Sequence, residues 1–171
     1  MITLGNTETI AFKIHKMEKP FIVMDIIVNS VNISYQDNSY YAFPLVNNIK
    51  KEIELITDGE FHLNKSLINT PLSKLHDIFY ETETETETET ETETETEVYD
   101  SSSEITNFLF YDLSTNKSLF YIYQEDECLI FFGKFFDSNN TITSRIKKSE
   151  FLATLINLLH TVESYAAPRN I

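Results

Sequence analysis

Apolar and polar residues alternate with a period of two at Ile10, Phe12 and Ile14, with Ala11, Lys13 and His15 on the opposite side. That pattern predicts a half-buried strand. From Phe21 to Val28 (FIVMDIIV) the run is apolar except for Asp25. It predicts a strand covered on most of both faces, with Asp25 at a rim facing water. Asn29-Ser30 and Asp37-Asn38-Ser39 carry turn chemistry, so Val31–Tyr35 and Tyr40–Phe43 extend the strand pair into a meander. At Pro44 the period changes. Leu45, Val46, Ile49, Ile53 and Ile56 recur at helical spacing, and Gly59 supplies a stop. A short strand is expected at Glu60–Leu63. Thr70-Pro71 opens a second helix with Leu72, Leu75, Ile78 and Phe79 as its apolar stripe, which leaves His76 and Asp77 facing solvent.

Strand character returns at Ile105–Leu113. The most apolar stretch follows, Leu119–Tyr123 and Cys128–Phe132 on either side of the polar turn Gln124-Glu125-Asp126-Glu127. Aromatic and β-branched residues dominate both arms, so the stretch reads as the central hairpin of an antiparallel sheet. Thr141–Lys147 alternates once more. Ser149 and Glu150 then open a last helix, with Leu152, Leu155, Ile156, Leu159 and Val162 as its stripe and Pro168 beyond its end. The pattern predicts an α+β fold: an antiparallel sheet of about six to eight strands with about three helices packed on it, plus a disordered acidic loop. Residues 1–171 are expected to form one domain.

The acidic loop is Glu81–Glu97, a strict Glu-Thr alternation. In an extended chain its carboxylates lie about 7 Å apart on one face, within the ~8 Å Debye length. They repel, and the segment has no apolar area to bury, so it is expected to stay extended and disordered. It also distorts the charge. The net charge is −14, and nine of the 27 acids lie in the repeat; setting those nine aside leaves −5. A mildly acidic surface disfavours nucleic acid and anionic membrane, whose phosphates need clustered Lys and Arg.

One cysteine, Cys128, excludes an internal disulfide and is expected to act as a small buried apolar residue. The opening residues lack a signal-peptide pattern and no apolar run approaches a membrane span, so a cytoplasmic protein is expected. His15, His62, His76 and His160 are scattered without ligand spacing, and no phosphate loop, dinucleotide fingerprint or nucleophile elbow occurs. No catalytic, metal or cofactor site is expected. What remains is a surface of tyrosines beside acids: Tyr111, Asp112, Tyr121, Tyr123, Glu125, Asp126 and Glu127 are the candidate partner-binding residues.

The layout has an early strand after Gly5, a hairpin-rich middle, the YIYQEDECLIFFG hairpin at 121–133 and a closing helix from Ser149. It resembles the small immunity proteins of bacterial polymorphic-toxin and contact-dependent growth inhibition systems. The resemblance implies a non-catalytic cytoplasmic protein that binds and blocks one cognate toxin domain, often a basic nuclease. No motif transfers individual residues, and the Glu-Thr repeat has no counterpart in the pattern. The alternative is a small-ligand-binding or enzymatic α+β domain with a pocket between sheet and helices.

Overall fold

The computed structural model describes residues 1–35, 37–87, 98–100, 106–111 and 118–166. The chain opens with β1 (Ile2–Gly5), β2 (Ile10–Glu18), β3 (Phe21–Val28), β4 (Val31–Asn32) and β5 (Ser39–Tyr41), then α1 (Ala42–Asp58) and a 3-10 turn at Lys65–Leu67. It continues with α2 (Leu72–Glu87), β6 (Ser118–Glu125), β7 (Cys128–Phe135), β8 (Ile142–Lys147) and α3 (Lys148–Ala166). The eight strands are all antiparallel, but they divide between two sheets. One has the order β1-β2-β3, with β4 and β5 pairing along β3; the other is β6-β7-β8. Glu60–Leu63, expected as a strand, contributes only the bridge Leu63 to Tyr99, and Phe108 makes a second isolated bridge to Phe120.

Pairing register explains the first sheet. Ile10 faces Val28, Phe12 faces Ile26 and Ile14 faces Met24, which puts six apolar side chains on the core face. A bulge between Ile14 and Lys16 inserts His15 as an extra residue, so Lys16 pairs with Val23. Gly5 turns β1 toward β2 at φ 85, where a Cβ would stand 2.4 Å from the Ile10 carbonyl oxygen.

The second sheet is buried on both faces, which is why its sequence is apolar without alternation. Tyr121 and Phe132 pair on the face under α2, where Phe79 meets both rings at 5.2 Å. Ile122 and Phe131 pair on the other face, where Phe131 meets Phe108 and, at 4.8 Å, Phe151 of α3. Gly133 sits opposite Phe120 because the ring crosses over it; a Cβ there would stand 2.5 Å from Phe120 Cγ. The buried stripe of α3 is Phe151, Thr154, Leu155, Leu158 and Val162. Ile156, expected in that stripe, is exposed, because the helix presents its 151–155–158–162 edge to both the second sheet and α1.

Two expectations on α2 are corrected. His76 is buried, 7 % exposed, with its ring 5.3 Å from that of Tyr121, while Asp77 stays in solvent and accepts from Lys134 Nζ at 2.6 Å. The stripe is wider than the apolar residues alone indicate. The helix also continues through the first seven residues of the Glu-Thr repeat, to Glu87, instead of giving way to extended chain at Glu81. Thr82 and Thr84 hydroxyls donate back to the carbonyls of Ile78 and Tyr80, and Glu83 accepts from Tyr121 OH at 2.7 Å and Asn107 Nδ2 at 2.8 Å. Tertiary contacts at Glu83 thus offset the poor helix propensity of threonine. Residues 88–97 lie outside the described residues.

Candidate partner-binding surface

The seven candidate interface residues do not share a surface. Tyr111 is 2 % and Tyr121 0 % exposed, so neither ring presents a face to a partner. Tyr121 is a packing hub under α2. Tyr111 packs on Phe12 at 6.2 Å and faces the buried Glu52 of α1. Its hydroxyl is close enough to act on the Glu52 carboxyl electrostatically, yet makes no well-aligned hydrogen bond, and Glu52 Oε1 has no partner among the described residues. Burial pushes Glu52 up to about 7, against the opposing pull of the Tyr111 hydroxyl and the Leu109 amide. Burial also drives the Tyr111 hydroxyl well above its ordinary value, helped by the Glu52 charge. Asp112 lies outside the described residues.

The remaining four do cluster, at the tip of the β6–β7 hairpin. Glu125 pairs with Cys128 in register, so the turn is two residues, Asp126-Glu127, with Asp126 at φ 53. Glu125, Asp126 and Glu127 are exposed and Tyr123 is half-buried. The acidity is local only. Glu125 is ion-paired with Arg145 of β8, and Lys147 stands opposite Cys128. Cys128 itself is half-buried beside Arg145 rather than enclosed.

A second surface did not emerge from sequence reasoning. On the face of the first sheet opposite the core, the register aligns three rows: Tyr41, Phe21 and Glu18; Ser39, Val23 and Lys16; then Asp25, Lys13 and Thr3. Phe21 is 39 % and Tyr41 53 % exposed, and their rings meet tilted with centroids 4.6 Å apart; Phe43, in the first turn of α1, is 72 % exposed. Exposed rings in contact with one another form a patch, and contiguous apolar patches mark interaction sites where single exposed residues do not. A cleft of about 320 Å³ opens beside them, with Lys16, Glu18 and Lys19 among its polar and Pro20, Phe21 and Val23 among its apolar members. In the middle of the face Asp25 accepts from His15 at 2.7 Å and Asn38 at 2.8 Å. Burial raises the Asp25 pKa, but hydrogen bonds from Asn38, His15 and Asn32 outweigh it and hold the carboxyl below its ordinary value. The His15 bulge carries the imidazole to Asp25, and no described hydroxyl or thiol bonds that ring. The pair orients a charge and lacks a nucleophile. The available signal was the charged Asp25 inside an apolar run, eight residues of β3 flanked by Pro20 and the Tyr40-Tyr41 pair.

Among the described residues no group of three or more His, Cys, Asp or Glu is placed to hold a metal ion, and no helix is long and apolar enough to cross a membrane. The architecture then has a counterpart. The chain is similar in fold to CdiI from Burkholderia dolosa. The superposition has a TM-score of 0.59 and spans 94 % of this chain and 99 % of CdiI, at 9 % sequence identity. CdiI therefore matches the two-sheet arrangement over almost its whole length, with little residue identity to carry sites across. No protein-family model matches the chain, and no curated protein matches it in sequence.

Proposed function

We propose that this chain is an immunity protein: it binds one cognate protein toxin and blocks it, without catalysing a reaction of its own. The observation that carries this reading is the fold likeness to CdiI, a contact-dependent growth inhibition immunity protein, over nearly the full length of both chains. The surface agrees with it. Exposed aromatics and charges stand on rigid strands, and aromatic rings fill the space between the second sheet and α2 and α3. The partner is a toxin domain of net positive charge, drawn by the chain's −14, and the protein acts in the cytoplasm of the cell it protects.

This reading predicts that a toxin domain is encoded immediately upstream of this gene, and the test is co-expression with that domain, with growth and calorimetric binding as readouts. The expected result is restored growth and a stoichiometric, tight complex. A chain that neither binds that domain nor relieves its toxicity overturns the reading.

A further inference from the structure

We propose that the open face of the first sheet, centred on Phe21 and Tyr41 beside the Lys16–Lys19 cleft and continued by Phe43 in the first turn of α1, is where the toxin docks. Its partner element is a loop that places an apolar side chain in the cleft and a carboxylate on the two lysines. This rests on the immunity reading above and names the surface it uses. Three observations together point to this face. The first is aromatic exposure: Phe21 and Tyr41 are cross-strand partners on β3 and β5, Phe43 follows in the first turn of α1, and Ala42 N donates to Pro20 O at 2.9 Å, which ties the start of that helix to the residue before β3. Rigid aromatics lose little side-chain entropy on binding, and they dominate interface energetics. The second is shape, since a cleft of about 320 Å³ adjoins the rings and accepts one large side chain.

The third is charge. In a chain with 27 acids against 13 basic residues, β2 and the turn after it carry Lys13, Lys16 and Lys19 with Glu18 as the single acid. Lys16 pairs with Glu18, but both side chains are more than 60 % exposed, and an ion pair in water is weak enough to exchange for a partner's carboxylate. Lys19 also lines the cleft, and its ammonium lies over the Tyr165 ring at 5.8 Å. The hairpin tip differs: its acids stand beside Arg145 and Lys147, and the ring among them, Tyr123, is half-buried. Net acidity steers a basic toxin over long range, while this face makes the local contact.

The experiment measures binding of the purified upstream-encoded toxin domain to the full chain by calorimetry, with size exclusion and light scattering on each free protein. Tyr41→Ala with Phe43→Ala is expected to weaken binding by about a hundredfold. Lys16→Met with Lys19→Met is expected to weaken it about tenfold, while Lys16→Arg with Lys19→Arg keeps it. Glu125→Lys with Glu127→Lys is expected to leave affinity within about threefold, since rim charges change rates more than affinities. All these side chains are exposed, so unchanged melting temperatures establish that the variants fold. Binding that the face variants leave intact, or that only the tip variant abolishes, overturns this surface and spares the immunity reading. A wild-type dimer that Tyr41→Ala with Phe43→Ala converts to monomer also overturns it, because a second copy would then cover the face. No binding by wild type overturns both.

Discussion

Glu52 and His76 are buried ionisable side chains whose protonation acts on stability in opposite senses. Glu52 has its folded pKa raised to about 7 from 4.5. The stability it contributes is fully present below 4.5 and is lost as pH rises through 7, by on the order of 3 kcal/mol at pH 8 for a shift of that size. Burial lowers the pKa of His76, with the Lys134 charge adding to it. Its contribution is present above 6.5 and is lost as pH falls below that value. Melting curves between pH 5 and 8 therefore separate the two. Glu52→Gln is expected to raise the pH 8 melting temperature by roughly 6–12 °C and to flatten the alkaline limb. His76→Phe, which keeps a ring against Tyr121, is expected to flatten the acid limb alone. An unaltered alkaline limb in Glu52→Gln means the carboxyl is not the group that titrates. Neither role was legible in the sequence. Glu52 reads as one more charge on a polar helix face, and His76 falls just outside a stripe counted from Leu72, Leu75, Ile78 and Phe79. Both become core residues because segments distant in sequence, 106–111 for one and β6 for the other, close over them.

At the scale of elements, periodicity located most of the structure. The strand Phe21–Val28 begins and ends where its apolar run does, α1 stops before Gly59 and α2 starts after Thr70-Pro71 as expected, but α1 begins at Ala42 and so takes Ala42 and Phe43 from the strand expected at Tyr40–Phe43. The departures share a cause. A period of two at Glu81–Glu97 says nothing of what Tyr121 and Asn107 present to it from elsewhere, and those donors hold Glu83 on the helix. The hairpin tightens to two residues because Asp126 accepts a left-handed conformation that composition does not reveal. The Tyr121–Glu83 contact makes a direct prediction. Tyr121→Phe is expected to lower stability by about 1 kcal/mol, because Glu83 loses one donor and keeps Asn107, while excision of residues 88–97 leaves the melting temperature unchanged. Equal losses in both variants would place the anchoring contact further along the repeat.

Over the whole molecule, the division of eight strands between two sheets is what the linear pattern could not disclose. Alternation marks the covered face of the first sheet and unbroken apolar runs mark the doubly covered second one; which strands share a sheet depends on pairings such as β6 with β7 and β7 with β8. The same limit applied to the surface. Tyr111 and Tyr121, near acids in sequence, were taken into the core, whereas Phe21, Tyr41, Lys16 and Asp25 were gathered on one face by register. Charge acts at this scale too. With nine of 27 acids in the repeat, the rate of association with a basic toxin domain is expected to fall several-fold between low and physiological salt, and by less in a chain lacking residues 88–97. A rate insensitive to salt would exclude electrostatic capture.

The grip of Tyr121 and Asn107 on Glu83 also bears on inheritance. Because the repeat is self-similar, gaining or losing whole Glu-Thr units after Glu87 returns a glutamate to position 83 and threonines to 82 and 84. Replication slippage in that tract would thus be silent to the fold, and alleles differing in length would share one folded body. A single-residue slip upstream of Glu83 would put threonine in the socket and be exposed to selection at once.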